Sequence, residues 1–270
     1  MEHSEIVRRE FSRQAANFGE NGLTLSSQEY LAWIVDILPF QSDFRVLDVA
    51  AGTGHLSRMI APHVRQVIAI DMTKEMLEQA RKAAAEACIE NILFEEGDAA
   101  ALPYQDNSFD MVVSRFAIHH FEKPELQLKE MVRVSREEHA VGIIDMLSPA
   151  DESLISPYNR LEQMRDPSHT VALTKEQLTK AMEISGLLVQ QFAARDINVD
   201  FERWTEMTGT DRQTKLAIRS ELEREIAGGS KTGMRPYLEG GKLKFLQTWC
   251  VVTGTKPSNE QLLRNRPAPY

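Results

Sequence analysis

The sequence predicts a doubly wound α/β domain on a mostly parallel sheet. Three observations carry that prediction. Short β-branched, apolar runs alternate with amphipathic segments from residue 44 to 145. A turn of very small residues follows the first run directly. Acidic residues stand at or just beyond the ends of three successive runs.

The elements follow in order. Residues 4–38 read as one or two helices with Phe11, Phe18, Leu31, Ile34, Val35 and Leu38 on apolar faces, interrupted at Gly19 and Gly22, where a hinge is expected. Strands are expected at 44–49, 66–71, 91–95, 109–114 and 140–145, and helices at 55–62, 73–87 and 125–134. Thr73 is the expected N-cap of the second of these helices, with Glu75 in its first turn. Beyond Pro149 the alternation stops. Residues 151–182 read as helical with a polar break at RDPSHTVALT, 187–194 as a strand, 211–226 as an amphipathic helix and 244–255 as a last strand. Residues 256–270 read as a frayed tail.

Composition bounds the function. The 270 residues are 42% hydrophobic and 26% charged, with a net charge of −9. That balance argues against a chain whose main task is gripping phosphate backbones. Cys88 and Cys250 form neither a metal-ligand spacing nor a disulfide framework, and each reads as a buried small hydrophobe. No metal site is expected. The N-terminus lacks an apolar signal core, and no stretch nears the roughly 20 apolar residues of a membrane span. A cytoplasmic enzyme with no membrane span is the expectation.

The most informative stretch is VLDVAAGTG, residues 46–54. Gly52 and Gly54 let the backbone turn tightly beside a ligand, in the crevice where open α/β sheets bind theirs. A dinucleotide fingerprint needs G-x-G-x-x-G, and Ala50, Gly52, Gly54 and Ser57 match it poorly. Asp48 would repel a pyrophosphate and welcome a cationic group. Asp71 stands about 20 residues beyond the turn, where a carboxylate can hold a ribose diol. Asp98 can accept from an exocyclic amine. Singly, each acid is as well explained as a cap or a solvated loop residue; their joint placement beside the turn points to a ligand.

The pieces VLDVAAGTG, VIAIDMT, FEEGDAAALPYQDNSFDMVVSRFAIHHF and MVRV resemble, in order and spacing, the motifs of class I S-adenosylmethionine-dependent methyltransferases, above all the group related to ubiquinone and menaquinone biosynthesis. The resemblance implies a Rossmann-like sheet of seven strands with the last antiparallel. It implies S-adenosylmethionine as cofactor, with Asp48, Ala50, Gly52 and Gly54 around its methionine part, Asp71 on the ribose, Met72 against the adenine, Asp98 and Ala99 at the adenine edge, and Ser114 lining the pocket. Ala50 departs from the glycine common at its position. On this reading residues 1–42 are an N-terminal helical lid and 43–150 the cofactor-binding core. Residues 151–256 supply acceptor-side helices and final strands of the same domain, and 257–270 a flexible tail.

Methyl transfer is an in-line displacement, so positioning and exclusion of water supply much of its acceleration. A base is needed only if the acceptor loses a proton. Arg115, Phe116, His119 and His120 follow the fourth strand, on the rim nearest the methyl group. Two adjacent histidines on a helix point different ways, so one at most is expected to face the cleft well. His119 or His120, oriented by Asp145 at the end of the fifth strand, is the expected catalytic base. Arg160, Arg165, Asp166 and His169 crowd around the break and read either as a charged helix surface or, together, as the lining of a pocket for a polar or anionic acceptor. Phe11 and Phe18 read as part of a closing lid or as plain core.

The expected function is methyl transfer to an O, N or C atom of a small molecule, with no nucleic acid partner. The competing readings are an RNA or protein methyltransferase, disfavoured by the acidic balance and the lack of a basic, aromatic-lined strip, and a nucleotide-binding oxidoreductase, which fold alone does not exclude.

Overall fold

The computed structural model describes residues 2–18, 24–258 and 260–261. The hinge read at Gly19 and Gly22, and most of the tail read at 257–270, lie outside the described residues.

Five parallel strands form the body of the sheet: β1 (Arg45–Val49), β2 (Gln66–Asp71), β3 (Ile92–Glu96), β4 (Phe109–Arg115) and β5 (Ser135–Leu147). Three more follow: β6 (Leu188–Asp200), β7 (Pro236–Glu239) and β8 (Lys242–Thr255). The order is β3-β2-β1-β4-β5-β8-β6, with β7 paired to β8. Strand β8 runs antiparallel to β5 and β6. The chain leaves β3 at one edge and returns on the far side of β1 as β4, so β1 and β4 flank the switch point where such sheets bind ligands.

Alternation along the strands builds two layers, because successive side chains leave opposite faces. Leu47, Val49, Ile68 and Ile70 pack with Leu128 and Met131 of α5 (Pro124–Val134) and Met182 of α7 (Lys175–Ile184). Val46, Val67, Met111 and Val113 pack with Ile34 of α2 (Gln28–Ile37), Ile60 of α3 (His55–Ile60) and Ala84 of α4 (Lys74–Glu86). The remaining helices are α1 (His3–Phe18), α6 (Glu152–Arg165), α8 (Phe201–Met207) and α9 (Arg212–Ile226).

The structure departs from the sequence reading at several elements. Strand β5 begins at Ser135, and α8 was not expected. The strand read at 187–194 continues to Asp200, paired with β8 throughout. An eighth strand, β7, joins β8 through Gly240 and Gly241, both at positive φ (58° and 77°), as a two-residue hairpin turn requires. Thr73 is the N-cap of α4, but its side chain does not cap; the Asp71 carboxylate takes the Thr73 N–H instead. Cys88 is exposed, while Cys250 is buried.

The long strands matter for the site. The C-terminal part of β6 and the N-terminal part of β8 rise past the rim of the parallel strands and carry a third apolar cluster, with Tyr158 and Leu161 of α6, Trp204 of α8, Ile218 and Leu222 of α9, and Phe245 and Trp249 of β8. No helix among the described residues is long and apolar enough to cross a membrane.

Candidate active site

The glycine turn sits at the switch point. Ala50, Gly52 and Gly54 all hold positive φ, at 55°, 56° and 71°. A side chain on Gly54 would approach the Ala80 Cβ to 3.1 Å, whereas one on Gly52 would meet nothing within 4 Å. Gly54 therefore serves packing, and Gly52 faces open space. Ala50 holds a backbone conformation that glycine adopts without strain, the local consequence of its departure from the common motif.

Asp71 ties the turn to the next strand. One carboxylate oxygen accepts the Gly52 N–H at 2.8 Å and the other the Thr73 N–H at 2.8 Å. Burial raises its pKa from the ordinary carboxylate range, and those two amides act against the rise. Asp71 lines a cavity of about 860 Å³ with Ala50, Gly52, Met72, Asp98 and Ala99. Asp98 is exposed at the mouth and accepts the Ala100 N–H.

Asp48, Gly54 and Ser114 are not part of that lining; they stand behind the wall. Ser114 was expected to line the pocket, but its hydroxyl donates to the Val49 carbonyl at 2.9 Å and is buried. Asp48 accepts the Ser57 hydroxyl at 2.5 Å through one oxygen; the other is buried with no protein partner. Burial pushes Asp48 up to about 7, against the Ser57 hydrogen bond and the Arg115 charge. Arg115 lines this same cavity and donates to the Leu25 carbonyl at 2.6 Å, leaving its Nε–H without a protein partner.

Helix α1 roofs the cavity with Val7, Phe11 and Phe18. The Phe18 carbonyl accepts from His55 Nε2 (2.9 Å) and the Thr53 hydroxyl (3.3 Å). At the other end, His3 Nε2 donates to the His120 carbonyl at 2.9 Å. Phe11 packs edge-on against the His120 ring, with centroids 4.9 Å apart. The helix is thus fastened at both ends across the opening.

A second cavity, of about 630 Å³, adjoins the first. Phe11, Phe18, Leu25, Phe116 and His120 belong to both. Phe116 is held at φ 53°, a costly conformation for a bulky residue, with its N–H on the Ile144 carbonyl and its ring edge-on to Trp249. The strained backbone thereby sets an aromatic ring where the cavities meet.

His119 and His120 lie on a single tight turn (Ile118–His120), with ring centroids 4.2 Å apart. Both line the second cavity, against the expectation that one at most would face a cleft, because the turn sits where the two cavities meet and His120 borders both. His119 Nδ1 donates to Asp145 at 2.5 Å, and the same carboxylate accepts the Met146 N–H at 2.7 Å. His120 Nδ1 donates to the Ser168 carbonyl at 3.0 Å, and burial pushes its pKa down to about 3, so the ring is neutral.

The polar break folds back against this pair. The Thr170 N–H donates to the His119 carbonyl at 2.8 Å. Arg165 and Asp166 line the second cavity. His169 lies behind the lining with its ring 5.4 Å from that of His119, and its Nε2 donates to Asn159. Arg160 does not join them: it points outward and pairs with Glu221 on α9. The sequence reading also missed much of the far wall, notably Arg203, Trp204, Gln247 and Trp249. Trp204 and Trp249 were not singled out in the sequence, and only the tertiary fold turns them toward a cavity. Among the described residues no cluster of His, Cys, Asp or Glu forms a metal site.

Comparison with known proteins places this sheet and its rim in one class. The methyltransferase domain family matches residues 46–138, the span from β1 into β5. The chain carries a methyltransferase domain and is an S-adenosylmethionine-dependent methyltransferase. Among its relatives is the methyltransferase YcgJ of Bacillus subtilis, 29% identical over 212 residues, which are 78% of this chain and 83% of the relative. The crystal structure of YcgJ superposes with a TM-score of 0.77 at 26% identity, covering 86% of this chain and all of the other. The ubiquinone/menaquinone biosynthesis C-methyltransferase UbiE of Bdellovibrio bacteriovorus is 34% identical over 146 residues, 52% of this chain and 62% of that protein.

Proposed function

We propose that the chain methylates a small molecule held in the second cavity, with the donor in the first and His119 taking the acceptor's proton. The observation that carries this reading is the pair of cavities meeting at Phe116 and His120, one bordered by the glycine turn and Asp71, the other by an Asp-oriented histidine.

The first cavity fits the donor. Gly52 leaves room for a ligand where a side chain would stand. Asp71 reaches the lining from the tip of β2, as a ribose-binding carboxylate does. Met72 supplies an apolar surface for the adenine, with Asp98 and Ala99 at its edge. The unpaired oxygen of Asp48 lies beneath the turn, favouring a positive charge above it, while the free Nε–H of Arg115 suits the donor's carboxylate. When bound, S-adenosylmethionine supplies an electrophilic methyl group.

The chain's residues do the rest. Helix α1 serves as the lid that excludes water. Phe116 separates donor from acceptor and sets the line between them. His119 gives its Nδ1–H to Asp145, which leaves Nε2 to accept a proton on a ring that lines the acceptor cavity. His120 packs beside it as a neutral wall. The acidic net charge and unpaired cysteines accord with work in the cytoplasm.

Incubating the protein with methyl-labelled S-adenosylmethionine and a cell extract tests the reading. Label is expected in the small-molecule fraction alone. Label in RNA or protein, or a preference for NADH over S-adenosylmethionine in calorimetry, overturns it.

A further inference from the structure

The far wall of the second cavity holds buried donors that the protein leaves unused. Arg165 Nε and Nη1 have no hydrogen-bond partner in the protein, and neither does Trp204 Nε1. Both side chains line this cavity, both residues are only 5% exposed, and the guanidinium carbon lies 5.0 Å from the Trp204 ring centre. Leaving a buried donor without a partner is costly, so three on one wall call for an acceptor to fill them.

The neighbouring acids do not meet the demand. Glu162 Oε2 lies 3.4 Å from Arg165 Nη2, makes no hydrogen bond and does not reach Nε or Nη1, and burial raises the pKa of this acid. Asp166 stands 3.9 Å from the same nitrogen and turns its other oxygen to the Ser168 N–H and hydroxyl. Arg203 adds a second cation to the wall. Between this wall and the junction with the first cavity the lining is aromatic and apolar, with Phe18, Phe116, Met146 and Trp249.

We infer that the acceptor is a flat aromatic acid whose carboxylate seats on Arg165 and Trp204 Nε1, so that its opposite end, bearing the nucleophilic atom, meets His119 at the junction with the donor cavity. The inference rests on the donor and acceptor assignment proposed above and names the acceptor's class. The apolar rings take the body of such a molecule, charge-assisted hydrogen bonds take its acid, and the length of the cavity sets which atom reaches the methyl group.

The test uses protein loaded with S-adenosylhomocysteine and three fluorescent probes: a hydroxynaphthoate, the matching hydroxynaphthamide, and the naphthol lacking the carboxyl group. The hydroxynaphthoate is expected to bind about tenfold or more tightly than either of the others. Arg165→Gln should abolish that preference. Trp204→Phe keeps the ring and removes one donor, so it should narrow the preference by about threefold to tenfold even if the arginine variant does not fold. Both should bind S-adenosylhomocysteine as the parent does. Equal binding of acid and amide overturns the anionic assignment, as does equal or undetectable binding of acid and naphthol by protein that holds S-adenosylhomocysteine. Failure to bind S-adenosylhomocysteine at all removes the underlying reading together with this one.

Discussion

The two cavities are built in different ways. Most of the cavity proposed for the donor comes from the tips of β2 and β4, the loops after β1, β2, β3 and β4 and the first turns of α3 and α4, so residues 50–121 supply all of its lining except four positions from the N-terminal segment. The acceptor cavity draws on α1, the β4 rim, β5, the end of α6, β6, α8 and β8, spread from Phe11 to Trp249. Their chemistry differs as well. The donor side presents an acid already bridged by backbone amides at Gly52 and Thr73. The acceptor side presents His119 on its carboxylate, Arg203 and the unspent N–H groups of Arg165 and Trp204. The first follows from the order of the sheet; the second depends on what was added to it.

If the division is right, the largest effects separate by cavity. His119→Ala should lower turnover about 10²- to 10⁴-fold, the usual contribution of a positioned base, and leave S-adenosylmethionine affinity within about twofold of the parent. Asp145→Asn should follow it in the same direction, since the imidazole loses the carboxylate that fixes its tautomer. His120→Ala should cost less than about tenfold, because its neutral ring serves as wall. Turnover in the labelled-methyl assay, set beside donor affinity by calorimetry, reads all three. A larger loss from His120→Ala than from His119→Ala would move the base to the shared wall and undo the separation.

Asp71→Ala is the converse experiment. It should weaken S-adenosylmethionine binding by about 1–3 kcal/mol, roughly 5- to 150-fold, as the ribose contact and the two amides at Gly52 and Thr73 lose their acceptor. Binding of an acceptor-side probe should change little. Unchanged donor affinity, measured calorimetrically, would show that Asp71 only braces the turn.

The same division explains what the sequence discloses. Strands β1 to β4 are short and mostly apolar, and the small-residue turn follows β1 without a gap, so neighbouring residues carry the proposed donor site together. Strand β6 is harder, because Arg195, Asp196 and Asn198 are exposed while Ile197 and Val199 are buried; the burial alternation begins only after the first charges, where an apolar run ends. The Gly240–Gly241 hairpin had a legible signal, two glycines between alternating segments. Trp204 and Trp249 had none: an aromatic residue reads as core whether it faces a neighbour or a cavity. The His pair was legible in identity but not in direction, since direction depends on where the two cavities lie around the turn.

A smaller effect sharpens the donor side. Asp48 is raised from 3.8 to about 7, chiefly by burial. Its folded form therefore holds a proton that the unfolded chain has lost between about pH 4 and pH 7, so its contribution to stability falls as pH rises through that window and is level above it. A cationic donor above the turn favours the ionised carboxylate and reverses the preference. S-adenosylmethionine should consequently bind about 3- to 10-fold more tightly at pH 8 than at pH 6, and Asp48→Asn should flatten the dependence. His55 and His120, lowered to about 4 and about 3 mainly by burial, stay neutral across that range and add nothing to the slope, while the asparagine variant separates Asp48 from Asp71, whose pKa burial also raises. A slope that survives in the asparagine variant would assign it elsewhere.

Arg160 provides the smallest expected effect and a sharp boundary for the acceptor wall. It lies five residues before Arg165 on α6, which places the two about 140° apart around the helix. Arg165 is therefore buried against the cavity while Arg160 reaches the surface and Glu221, its side chain 48% exposed. An exposed pair of this kind is worth less than about 1 kcal/mol. Arg160→Ala should accordingly leave both turnover and the hydroxynaphthoate preference unchanged and shift thermal stability only slightly, even though the sequence reading grouped it with Arg165. If it instead impaired acceptor binding as strongly as Arg165→Gln, the acceptor would have to reach the outer face of α6, and the wall would no longer end at Arg165.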